Sequence, residues 1–123
     1  MIRAFAGEKE LKDFAGEIKR AFGIPDVSVF GNLEEKVHKA AIVPGSGRSM
    51  ARLAAAKGAD VLVTGDIGHH EGLDAVDMGL CVIDAGHYGL EQVFIDDMKE
   101  LLEQKLPDCD IISCKTGSPF QVI

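Results

Sequence analysis

His87 and Glu91 stand four residues apart, a spacing that places both side chains on one face of a helix. An imidazole and a carboxylate so placed form a two-toothed clamp of borderline softness, suited to zinc, manganese, iron or nickel. On a plain helical surface the same pair is an ion contact worth about 0.2–0.5 kcal/mol. Other chemistry-bearing residues gather nearby in the pattern: three of the four histidines lie in or just after two turns, Thr64-Gly65-Asp66-Ile67-Gly68-His69-His70 and Asp84-Ala85-Gly86-His87. Asp66 and His70 are the candidate catalytic residues, as base or as orienter of a ligand. Two readings stay open for Asp66, a cation-facing carboxylate or a helix cap that accepts backbone N–H groups, and the same two hold for Asp84. His69 and His70 point about 100° apart if both are helical, so one of them at most reaches a shared ion. His38 lies apart from these turns and takes no role.

A third turn, Gly45-Ser46-Gly47-Arg48-Ser49, could cradle an anion with the backbone N–H groups of Gly45, Ser46, Gly47 and Ser49 at a helix start. No Gly-Lys-Ser/Thr follows it, so it is not a P-loop. Met50 stands where a dinucleotide fingerprint carries its third glycine. A tight turn with Ser46 as helix cap accounts for the same residues.

The elements that must hold these turns follow from the apolar pattern. Leu11, Phe14, Ile18 and Phe22 recur at helical spacing over Glu8–Phe22, and Val27–Phe30 alternates as a short edge strand. Ala40–Val43, Val61–Val63 and Leu80–Ile83 are short, continuously apolar strands, each followed by a turn and a helix. The helices run to about Lys57, to Met78, and from His87 to Leu106, the last with Leu90, Phe94, Met98 and Leu101 toward the core and Asp96, Asp97, Glu100 and Glu103 toward solvent. Asp110–Cys114 reads as a fourth strand and Phe120–Ile123 as a fifth. Repeated βαβ units of this kind make an α/β fold with a mostly parallel sheet flanked by helices, in one domain over residues 1–123. In such sheets ligands bind beyond the carboxyl ends of the strands, where all three turns fall.

Composition excludes several classes. The chain has 123 residues with 13 Lys+Arg against 20 Asp+Glu, a formal charge of −7, which opposes binding to nucleic acid or to an anionic membrane surface. Apolar residues are 46% of the chain, enough for one core, and no run approaches the length of a membrane span. The N-terminus lacks the apolar core of a secretory signal. Three cysteines, Cys81, Cys109 and Cys114, form no CxxC pair and fit reduced thiols in a cytoplasmic protein.

Taken together, Pro44-Gly45-Ser46-Gly47, Val63-Thr64-Gly65-Asp66-Ile67 leading to His70, and Val82-Ile83-Asp84-Ala85-Gly86-His87 with Glu91 resemble the Nif-three-like family, whose members often carry the name GTP cyclohydrolase I type two homologue. The resemblance covers nearly the whole chain and corresponds to the family's carboxyl-terminal half. It implies a Nif-three-like half-domain, with His87 and Glu91 as ligands in a two-metal site, His70 lining the same cavity, and Asp66 and Thr64 matching the aspartate and threonine of the family's motif. His69 stands where the family usually has an aromatic residue. The family's other ligands, two adjacent histidines and an aspartate, come from an amino-terminal half missing from this sequence; His69-His70 belongs to a different motif. Full-length relatives are expected at about twice this length. The resemblance therefore implies a divalent-metal-binding domain that needs a complementary amino-terminal half or a homo-oligomer to complete its site. When completed, it would act as a metal-dependent hydrolase on a small nucleotide-like substrate. The alternatives are a non-catalytic metal-binding module that self-assembles, and a small nucleotide-binding domain that uses the Gly45–Ser49 turn.

Overall fold

The fold, seen in a computed structural model that describes residues 1–114, 116–119 and 121, is built on one five-stranded sheet. In chain order its elements are β1 (Ile2–Glu10), α1 (Leu11–Phe22), β2 (Ser28–Phe30), β3 (Lys36–Ser46), α2 (Ala51–Ala56), β4 (Val61–Gly65), α3 (His69–Asp77), β5 (Cys81–Asp84), α4 (His87–Glu91) and α5 (Val93–Lys105). The strand order is β1-β3-β4-β5-β2. The three central strands run parallel, as the βαβ pattern requires, and each edge carries an antiparallel strand.

β4 is the central strand, and all five of its residues are buried, which is why it reads as an unbroken apolar run rather than an alternating one. Its side chains divide between two cores. On one face Val61 and Val63 meet Leu11, Phe14 and Ile18 of α1 and Leu90 of α4. On the other, Leu62 meets Ala51 and Ala54 of α2 and Ala75 of α3, small residues that let short helices lie close to the sheet.

β1 escapes the sequence pattern. It pairs with β3 through Ile2–Ala41 and Glu10–Lys36, with an irregularity between Ala4 and Lys9. Its apolar residues serve both faces, Ile2 in one core and Phe5 in the other, so no clean alternation marks it. β2 is the edge strand expected there, now seen against β5.

The carboxyl-terminal third departs further. The single helix expected over His87–Leu106 breaks at Gln92 into α4 and α5. Leu90 is buried as expected, but Phe94 is 60% and Leu101 45% exposed, and α5 contributes no buried residue. Asp110–Cys114 is not a strand. Ile111–Cys114 instead lines a shallow groove of about 240 Å³ with Phe94, Met98 and Leu102. A short apolar run becomes a strand only when a sheet edge accepts it, and here β1 and β2 form the edges. Of the fifth strand expected at Phe120–Ile123, Phe120, Val122 and Ile123 lie outside the described residues, and Gln121 is not in a strand.

Candidate functional site

Three parallel strands deliver their carboxyl ends to one edge, and the turns that follow them are joined there by side chains. Buried Thr64, near the end of β4, accepts the N–H of Gly47 on its Oγ1 at 2.8 Å and donates to the carbonyl of Gly45 at 3.0 Å. The end of β3 is thereby pinned to β4. Gly65 follows, and a Cβ there would lie 2.6 Å from both the carbonyl carbon of Gly86 and the nitrogen of His87. Only glycine lets the turns after β4 and β5 approach this closely.

Asp84, at the end of β5, accepts on Oδ1 the N–H groups of Asp66 at 3.0 Å and Gly86 at 2.9 Å, and on Oδ2 that of Ile67 at 2.9 Å. It caps no helix. The residues that precede α3 and α4 are Gly68 and Gly86, which have no side chain to cap with, and the first N–H of α4, that of His87, lies 3.4 Å from Asp66 Oδ1. Ser46 likewise ends β3 rather than capping α2.

Asp66 takes a left-handed backbone, φ +53°, and is the non-glycine residue with positive φ among the described residues. Its Oδ2 lies 2.9 Å from His87 Nδ1. A carboxylate only accepts, so this contact puts a proton on Nδ1, and in the neutral ring the lone pair then falls on Nε2. Nε2 in turn lies 3.4 Å from Glu91 Oε1, the i,i+4 pair anticipated from spacing. Gly45 closes the third side. At φ +70° it carries no Cβ, and one placed there would sit 3.0 Å from Glu91 Oε1 and 3.1 Å from His87 Nε2. The absent side chain leaves a hollow in front of His87 Nε2 and Glu91 Oε1. The side chains of His87, Asp66 and Glu91 are each about half exposed, so the hollow opens to solvent.

Not every candidate converges. His69 and His70 occupy the first turn of α3, both exposed, their rings meeting edge-on with centroids 5.4 Å apart. In the Gly45–Ser49 turn, the N–H of Gly47 is already given to Thr64. Among the described residues no three His, Cys, Asp or Glu side chains are arranged to hold a metal, and His87 and Glu91 come together as a pair. Thr64 and Asp84 do more than their sequence positions suggest. A lone polar residue ending an apolar strand was the signal available for each. Asp66 and Asp84 also border an open cleft of about 720 Å³ that runs toward Gly23–Ser28 and Gln92.

The geometry has close relatives. Residues 1–118 match the sequence model of Duf34/NIF3 (NGG1p interacting factor 3). The chain is 41% identical over 98 residues to a GTP cyclohydrolase 1 type 2 homolog of Halalkalibacterium halodurans, covering 80% of this chain and 26% of that protein. It is 45% identical over 92 residues to the Staphylococcus aureus protein of the same name, covering 75% of this chain and 25% of the other. The crystal structure of a Bacillus cereus protein related to NIF3 superposes with a TM-score of 0.91 at 31% identity, over 99% of this chain and 35% of that one. The chain thus spans about a quarter of the length of these curated relatives, a smaller share than the half expected. The chain with this edge of three pinned turns belongs to the Duf34/NIF3 family.

Proposed function

We propose that this chain is a divalent-metal-binding half-site whose ligands are His87 Nε2 and Glu91 Oε1. The observation that carries the reading is their convergence, 3.4 Å apart, on the hollow left by Gly45. A neutral imidazole nitrogen and a carboxylate oxygen suit zinc, manganese, iron or nickel. Asp66 holds the proton on Nδ1, the carboxylate–histidine arrangement that orients metal-binding imidazoles and raises their basicity. That contact supports orientation as the role of Asp66, whereas His70, exposed on the first turn of α3, packs edge-on against His69. When bound, the cation supplies Lewis acidity.

Two ligands do not close a four-coordinate site. The open face of the pair fits completion by a complementary amino-terminal half or by other copies of the chain, since symmetric packing brings equivalent clamps together. Hydrolysis of a small molecule, with GTP as the first substrate to test given the relatives' names, belongs to the completed assembly. The second reading, a non-catalytic metal-binding module that self-assembles, is favoured by the apolar side chains exposed on α5. No described helix is long and apolar enough to cross a membrane, and the three described cysteines are free, which fits a reducing cytoplasm.

Elemental analysis of protein purified without chelator, alongside its mass in solution, tests the reading. Near-stoichiometric metal that is lost in folded His87→Ala supports it, and unchanged metal content in that variant overturns it. GTP turnover with added zinc or manganese, by the chain alone and mixed with a relative's amino-terminal half, separates the hydrolase from the non-catalytic module.

A further inference from the structure

We propose that Asp84 is the positioning residue of the His87–Glu91 pair and acts through Asp66. The inference rests on the metal-binding reading but concerns a residue that touches neither ligand atom. Of the three backbone N–H groups on the Asp84 carboxylate, two belong to Asp66 and Ile67, 18 and 17 residues earlier and across the sheet on the turn after β4. The third, from Gly86, lies in the turn that launches His87. One side chain therefore sets the distance between the two turns.

It also sets a conformation. Asp66 at φ +53° is in a region that residues with a Cβ occupy only when their surroundings hold them there. The bonds from the N–H groups of Asp66 and Ile67 to Asp84 are such a hold. In that conformation Asp66 Oδ2 meets His87 Nδ1 at 2.9 Å, and its Oδ1 lies 3.4 Å from the His87 N–H. Loss of this acceptor frees the ring proton to move to Nε2, which would turn the face toward Glu91 from acceptor to donor. Asparagine cannot substitute for Asp84, because its amide presents N–H groups to at least one of the backbone donors that the carboxylate accepts.

The test uses the full chain, ¹⁵N-labelled at histidine and metal-free, near pH 8, where ordinary imidazoles are neutral (pKa about 6.5). Long-range ¹H–¹⁵N spectra report the ring tautomer, with His87→Ala identifying the resonances. Zinc affinity is measured by competition with a chromophoric chelator. The expected result is an Nδ1–H tautomer in the native protein and a mixture rich in Nε2–H in Asp84→Asn, with zinc affinity lower by about 10–100-fold. Asp66→Gly takes the left-handed conformation freely but has no acceptor, so it should show the same tautomer loss. Adding Asp84→Asn to it should change the tautomer no further, as expected for residues acting in series.

An Asp84→Asn protein that keeps the Nδ1–H tautomer and native zinc affinity, whatever its melting temperature, overturns the proposal. So does a tautomer effect of Asp84→Asn that persists in the Asp66→Gly background. If Asp84→Asn does not fold, Asp84→Ser takes its place; if neither folds, Asp84 is a folding determinant and the positioning role is rejected. Tautomer loss in Asp84→Asn, combined with native zinc binding by His87→Ala, would sink the metal reading while leaving the positioning role intact.

Discussion

The two ends of α4 lead into regions held by different physics. At its start, His87 enters a turn where Asp84 receives three backbone N–H groups, Thr64 ties β3 to β4, and Gly65 lets two turns touch. Past its end, α5 carries the periodic apolar residues of a core helix and buries none of them. The first region depends on geometry at the scale of single hydrogen bonds, so small changes should propagate to His87. The second has little to lose on its own, and exposed apolar groups such as Phe94 and Leu101 gain stability only if another surface covers them.

Breaking each side of α4 should expose this contrast. Leu90, 2% exposed, and Phe94, 60% exposed, sit four residues apart in the two helices. Leu90→Ala should lower unfolding free energy by about 2–5 kcal/mol in urea titrations. Phe94→Ala should change it by no more than about 0.5 kcal/mol. Equal losses would mean that α5 is covered in solution, and a concentration-dependent melting temperature would assign the cover to a second copy.

Gly65→Ala addresses the pinned edge directly. Its Cβ would meet backbone atoms at 2.6 Å, and backbone yields less readily than a flexible side chain. A loss of about 1–3 kcal/mol is expected, accompanied by weaker zinc binding, because the displaced atoms are those of Gly86 and His87. Stability loss with native zinc affinity would show that the ligand pair tolerates movement of its turns.

The smallest effect lies inside the sheet. Cys81 is buried and donates to Glu35 at 3.4 Å; burial first, and then the Glu35 carboxylate, pushes its thiol up to about 12. Alkylation of native protein near neutral pH should modify Cys109 and Cys114, both exposed, and spare Cys81. Because the folded state favours the neutral thiol, its contribution to stability is complete below the ordinary value of 9.0 and is lost as pH rises from there through about 12. Cys81→Ala should flatten that alkaline limb in pH-dependent melts, and an unchanged limb would show that other groups cause it.

The strands β4 and β5 were legible because continuous apolar runs between turn residues leave few other uses for them, and α1 because its apolar stripe repeats at helical spacing. β1 was not, because an edge strand with apolar residues on both faces shows no period of two. α5 misled for the opposite reason. Its stripe is genuine, but periodicity records which side of a helix is apolar and not whether anything lies against it.

The candidate site divides along the same line. Local spacing alone determined that His87 and Glu91 share a helical face, because an i,i+4 relation is contained within one turn of helix. It also placed Asp66, Asp84 and Gly45 in turns at one edge of a parallel sheet. Only the tertiary structure decided that Asp66 is the partner of the His87 ring, that Asp84 binds the turn of a neighbouring strand, and that Gly45 leaves the hollow before His87 Nε2 and Glu91 Oε1. Those contacts join residues 18 to 46 positions apart. They exist because β3, β4 and β5 lie side by side, an order set by how the sheet buries its two faces rather than by any spacing along the chain.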